Sequence, residues 1–224
     1  MDPEFWHERW SRGEIGFHQH DYNAHMQSFV ETLRIKRGAN VLVPLCGKSR
    51  DMIWLLERGY RVTGVEISPR AVRDFFEEHS IAHGVTELPD ARLFRGEHLD
   101  IYCGDFFTLD LTGAARFDAV YDRASLVALP PQMRERYVER LTALVPEDTR
   151  SLLVTMQYPQ DEMRGPPFSV PEEEVRKIFG GFWTVDRLHE EDCLEQQPRF
   201  REKGLSRLTE RVFLLRRTKP AGRA

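Results

Sequence analysis

Three cysteines in 224 residues, Cys46, Cys103 and Cys193, are too few, too far apart and odd in number for a disulfide framework or a paired-cysteine zinc site. No long apolar run occurs anywhere, which argues against a membrane span, and the charged opening residues Asp2, Glu4, Glu8 and Arg9 do not resemble a secretory leader. Blocks of like charge are missing as well. Arg and Lys are interspersed with acids at a formal net charge of -4, so the chain carries no electrostatic footprint for nucleic acid, and small ligands are the expected partners. A reducing, cytoplasmic location follows. No heptad repeat demands a partner chain, and a monomer is expected.

What is present reads as a globular chain, with 41% hydrophobic and 30% charged residues. No linker or internal repeat divides it, so residues 1–224 are expected to form a single domain. Asn40-Val-Leu-Val-Pro44 reads as a buried strand, and Asp51 to Arg58 as a helix stopped by Gly59. Tyr60 to Ile67, rich in β-branched residues, is a second strand; Ser68 and Pro69 then open a helix. Further strands are expected at Ala91 to Phe94 with Leu99 to Cys103, at Phe117 to Tyr121, Ser151 to Met156, Phe182 to Leu188 and Arg207 to Leu215. An amphipathic helix follows Pro130-Pro131, and another spans about Glu172 to Phe179. Between them, Tyr158 to Pro171 reads as a functional loop or a proline-stiffened crossover. Strands alternating with helices predict an α/β fold with a mostly parallel sheet and helices on both faces.

In such a sheet, ligands gather beyond the carboxyl ends of the strands. The first strand runs into Pro44-Leu-Cys-Gly-Lys-Ser49, and Glu66 ends the second strand nineteen positions after Gly47. A glycine turn lets a ligand approach the backbone, and a carboxylate at this spacing can accept both hydroxyls of a ribose, as found in NAD and in S-adenosylmethionine. The same residues also suit a plain turn and a solvated acid. The three-glycine fingerprint for a pyrophosphate is missing, and a P-loop would need glycine where Leu42 stands. His18, His20 and His25 lie close in sequence, but no cysteine or HExxH pattern joins them, and no metal is expected.

Six blocks of the sequence, in order, resemble the thiopurine S-methyltransferase family, in its shorter bacterial form. They are Phe5-Trp-His-Glu-Arg-Trp10, Ile15-Gly-Phe-His18, Val43-Pro-Leu-Cys-Gly-Lys48, Val62-Thr-Gly-Val-Glu-Ile-Ser68, Asp122-Arg-Ala-Ser-Leu126 and Gly165-Pro-Pro-Phe-Ser-Val-Pro171. The resemblance implies a Rossmann-like class I methyltransferase fold with a seven-stranded sheet. It also implies S-adenosylmethionine as methyl donor and a small aromatic or heterocyclic thiol as acceptor, with selenium and tellurium compounds as further acceptors in detoxification. Other readings are a small-molecule O- or N-methyltransferase, or a nicotinamide-dependent oxidoreductase.

Carried over residue by residue, the resemblance implies that Trp10, Leu45, Glu66 and Arg123 contact the cofactor, and that Phe17 and Arg199 meet the acceptor. Trp10 offers a ring face to a sulfonium, although a core anchor would look the same. Leu45 offers backbone and an apolar wall. Arg123 can pair with a carboxylate or a thiolate, or simply with Asp122. Phe17 offers a flat face, or packs against Trp6; Arg199 offers charge, or faces water. Asp105 is a second-tier candidate for the adenine. Asp122 could take a proton from a weakly acidic acceptor, but no catalytic residue is assigned.

Overall fold

Asn40, Val41, Leu42, Val43 and Pro44 are all buried, as a continuous apolar run between two neighbours requires. In the computed structural model, which describes residues 3–15, 18–19 and 21–219, they form β1 (Asn40–Pro44) in a chain that divides into two compact units, Met1–Tyr121 and Asp122–Ala224.

The first unit opens with α1 (Pro3–Ser11) and α2 (Ala24–Phe29), the latter capped by Asn23, whose side chain accepts from the Met26 N–H. After β1 come α3 (Asp51–Glu57), β2 (Arg61–Glu66), α4 (Pro69–Glu78), β3 (His83–Glu87), β4 (Arg92–Gly96), β5 (Leu99–Cys103) and β6 (Ala119–Asp122). Gly59, expected to stop α3, does so with φ +81°, a conformation costly for any residue with a Cβ. Ser68 caps α4 through the Ala71 N–H and Pro69 fills its first turn, a cap of about 1 kcal/mol. Ala71, Val72, Phe75 and Phe76 form its buried face.

Strand order in this unit is β3-β4-β5-β2-β1-β6. The ladders β2–β5, β1–β2 and β1–β6 are parallel, so the chain leaves β1 toward β2 and β5 and later returns to its other side. β1 therefore stands at the point where strand order reverses.

The second unit contains α5 (Ser125–Ala128), α6 (Pro131–Leu144), β7 (Arg150–Gln157), α7 (Glu172–Phe179), β8 (Trp183–Asp192), α8 (Pro198–Glu202) and β9 (Thr209–Arg217), with strand order β7-β9-β8 and both ladders antiparallel. Nine strands thus stand among the described residues, where seven were expected, and three parallel ladders lie at the centre of the first unit. The additional strand that sequence misses is β3, whose five residues are all exposed and therefore carry no hydrophobic alternation. The expected hairpin between Ala91 and Cys103 is present as β4 and β5.

Arg134, on α6, organises the second unit. Its side chain is 0% exposed, and a cation so placed must be fully paired. Nε donates to the carbonyls of Leu126 and Leu129 at 3.1 and 3.0 Å, Nη2 to that of Ser169 at 3.3 Å, and Nη1 meets Glu174 at 2.7 Å. One side chain thereby joins the end of α5, the approach to α7 and α7 itself. The proline-rich segment 158–171 is stitched just as closely. Tyr158 Oη donates to the Pro167 carbonyl, Gln160 Nε2 to that of Met163, Ser169 Oγ to that of Tyr158, and the Phe168 N–H to that of Val127. It is a built crossover rather than an open loop. Replacing Arg134 with Met would take the guanidinium donors from three carbonyls and the countercharge from Glu174, and urea unfolding is expected to show a loss of about 3–5 kcal/mol.

Candidate functional site

The turn leaving β1 is conformationally demanding. Leu45 has φ +47° and Gly47 φ +54°, so two residues of three lie in the left-handed region, and only one is glycine. A backbone bond from the Cys46 N–H to the Val65 carbonyl holds the turn against β2, and one from the Ser49 N–H to the Cys46 carbonyl closes it on itself.

Glu66 closes it. The carboxylate is 6% exposed and spans two backbone donors, with Oε2 accepting from the Gly47 N–H and Oε1 from the Ser68 N–H, each at 2.8 Å. Burial raises its pKa, while the N–H groups of Ser68, Gly47 and Ile67 act to lower it. Two carboxylate oxygens offer about four acceptor sites. The backbone bonds leave acceptor capacity for a diol.

Trp10 lies over the same turn. A Cβ built at Gly47 would stand 3.2 Å from Trp10 Cζ2, so the indole occupies the space that glycine leaves. The ring is buried, and its helix is latched to α4 by Arg70, which donates to the Ser11 carbonyl at 3.0 Å and lies 3.6 Å from Asp74. Leu45, two residues before Gly47 in the same turn, is half-buried. Trp10, Leu45 and Glu66, distant in sequence, are brought together in the first unit. Asp105 is half-buried and its carboxylate accepts from the Phe107 N–H, so it shapes its own turn.

Asp51 is a framework residue that sequence reading overlooked. Buried at the start of α3, it accepts from the Asn23 N–H and from Tyr121 Oη, each at 2.9 Å, and so ties α2 to β6. An acid opening a helix looks like an ordinary first-turn charge, so no local signal marks it.

Arg123 and Arg199 belong to the second unit. Arg123 occupies a bend after β6 and Arg199 stands on α8, both partly exposed. Burial lowers the pKa of Arg199, Glu210 opposes that, and Arg123 adds to the lowering, which places the two guanidinium groups within electrostatic reach. Arg199 is therefore not the solvated surface cation of its alternative reading; its Nε is buried and its guanidinium lies over Phe200. Phe17, like His20, lies outside the described residues.

Asp122 is 1% exposed, and its oxygens accept from the Ser125 N–H at 3.1 Å and Tyr137 Oη at 2.6 Å. Burial pushes its pKa up to about 6 against the pull of these bonds. It is thus a framework acid as placed, bonded into β6, α5 and α6.

The family model for thiopurine S-methyltransferase matches residues 1–218. This chain belongs to that family. A thiopurine S-methyltransferase of Pseudomonas fluorescens is 46% identical over 216 residues, covering 96% of this chain and 99% of its own. That of Pseudomonas entomophila is 49% identical over 217 residues, at 97% and 100% coverage. Among solved structures, the 1,6-didemethyltoxoflavin N1-methyltransferase of Burkholderia thailandensis, with bound S-adenosylhomocysteine, superposes with a TM-score of 0.62 at 21% identity, covering 97% of this chain and 87% of its own. The N-methyltransferase NodS of Bradyrhizobium japonicum, also in complex with S-adenosylhomocysteine, gives 0.62 at 14% identity, with 93% and 97% covered. At such identities the likeness is one of fold, Rossmann-like in both.

S-adenosylmethionine is the methyl donor of this family member, and the turn fits it. A glycine whose side-chain space is crowded, an indole ring against it and a carboxylate with spare acceptor sites suit a phosphate-free nucleoside bearing a sulfonium.

Two measurements test the geometry. In Gly47→Ala the new methyl meets Trp10 in a left-handed backbone, so denaturation should show a loss of about 1–2 kcal/mol, with a change in tryptophan emission. For Asp122, the raised folded pKa means that ionisation costs stability as pH rises from the unfolded value through about 6. Asp122→Asn should therefore gain on the parent chain by on the order of 3 kcal/mol between pH 4 and pH 7 in urea titrations, and an unchanged difference would refute the shift.

Proposed function

We propose that this methyltransferase moves a methyl group from S-adenosylmethionine to the sulfur of a small aromatic or heterocyclic thiol. The observation that carries the reading is Glu66 held between the Gly47 and Ser68 N–H groups, beside a glycine turn roofed by Trp10, where strand order reverses. Glu66 holds the ribose hydroxyls, Leu45 walls the methionine part, and Trp10 turns its face to the sulfonium. Arg123 pairs with the cofactor carboxylate or a thiolate; Arg199 and Phe17 receive the acceptor. When bound, the sulfonium supplies a methyl group that is already strongly electrophilic. The protein then has only to align acceptor and methyl at near-attack distance and exclude water, and an acidic thiol arriving as thiolate needs no base. Both oxygens of Asp122 are engaged, which supports a mechanism without it.

Selenium and tellurium nucleophiles, larger and softer, are further acceptors of the same class, consistent with a role in detoxification. The family match crosses both compact units, which supports treating the chain as one methyltransferase domain, acting as a cytoplasmic monomer without nucleic acid. No helix among the described residues is long and apolar enough to cross a membrane.

Labelled-methyl transfer to aromatic thiols, selenite- and tellurite-derived acceptors, phenols and amines is expected to favour the thiols; turnover confined to phenols or amines would overturn sulfur specificity. Glu66→Ala is expected to weaken S-adenosylhomocysteine binding by about 1.5–3 kcal/mol in titration calorimetry. Unchanged affinity would remove the ribose role, and tight NAD binding with no response to S-adenosylhomocysteine would remove the cofactor assignment.

A further inference from the structure

Lys48 follows the turn glycine, yet the function described above makes no use of it. A lysine in a glycine turn at a nucleotide-type site commonly reaches for phosphate. Here the residue is only 8% exposed, and its Nζ is bonded to Glu78 Oε1 at 2.5 Å, at the far end of α4. The ammonium is committed to protein.

The turn needs such a tie. A left-handed leucine next to the strand end costs about 1–2 kcal/mol and persists only where its surroundings over-determine it. Its backbone bond to Val65 and its bond to Glu66 both run to β2. Lys48 supplies a side-chain bond from the turn to α4, and that helix is itself fixed at its start, where Ser68 caps it and donates its N–H to Glu66. Gly47, Glu66, Ser68, α4, Glu78 and Lys48 form a closed ring of covalent and hydrogen-bonded links around the carboxylate. We propose that Lys48 and Glu78 are positioning residues, which set the turn glycine against Glu66 and thereby tune cofactor affinity without touching the cofactor. This rests on the cofactor assignment made above.

A double-mutant cycle on the full chain tests it, using S-adenosylhomocysteine as the probe in titration calorimetry, with circular dichroism confirming that each variant is folded. Lys48→Met and Glu78→Gln should each raise Kd about fivefold, the equivalent of one broken charged tie. The double variant should bind no worse than the weaker single variant, because one link is lost in all three. KM for S-adenosylmethionine should rise with Kd, while KM for the thiol stays put, a split that general loss of stability would not produce. Glu78 is half-exposed, so Glu78→Gln keeps the test open should Lys48→Met fail to fold. Affinities within twofold of the parent chain, or losses that add in the double variant, would overturn the inference. A parent chain that does not bind S-adenosylhomocysteine would instead overturn the cofactor assignment on which it depends.

Discussion

The short hydrogen bonds that the Glu66 carboxylate accepts from the backbone of Gly47 and Ser68 are the constraint on which the site depends. A carboxylate this deeply buried would protonate or drive the strand end open unless donors met it. Backbone N–H groups meet that need without bringing a countercharge, so the acid remains usable by a ligand. The same bonds align the turn after β1 with the start of α4, and parallel pairing of β1 with β2 brings the two strand ends level. Chemistry at this end of the sheet is therefore a property of register as much as of residue type.

The second unit meets a comparable demand in another way. Its buried acid, Asp122, is held by a phenol and a backbone N–H and sits near neutrality, whereas its buried cation, Arg134, is saturated by three carbonyls and Glu174. Arg134 does for irregular backbone what a sheet does for strands, giving donors to the carbonyls of Leu126, Leu129 and Ser169. That is how a segment rich in proline, poor in N–H donors of its own, becomes a fixed part of the fold.

Much of this was legible in the sequence where it depends on near neighbours. The run Asn40 to Pro44, the break at Gly59, the cap at Ser68 and the interval from Gly47 to Glu66 are local patterns, and each appears where its chemistry placed it. Strand β3 escaped because exposed residues carry no periodic signal. Arg134 escaped because it looks like one more cation on a charged amphipathic helix; only its distant carbonyl partners reveal it as interior. The stitching of Tyr158 to Pro167 and Ser169 lies between these cases, local in sequence yet dependent on a fold that turns the segment back on itself. Trp10 could be named from family resemblance, but its seat against Gly47 is tertiary.

Leu45 carries a consequence of another kind. Glycine or asparagine would adopt its positive φ more cheaply, so with the role proposed for Leu45 stability and ligand contact pull in opposite directions at this position. Selection for heat resistance alone would tend to drain strain from the turn, and with it the apolar side chain proposed to wall the cofactor. A thermostable descendant reached by that route would keep its sheet, its helices and its interior arginine, and, on the role proposed for Leu45, would surrender part of its grip on the methyl donor.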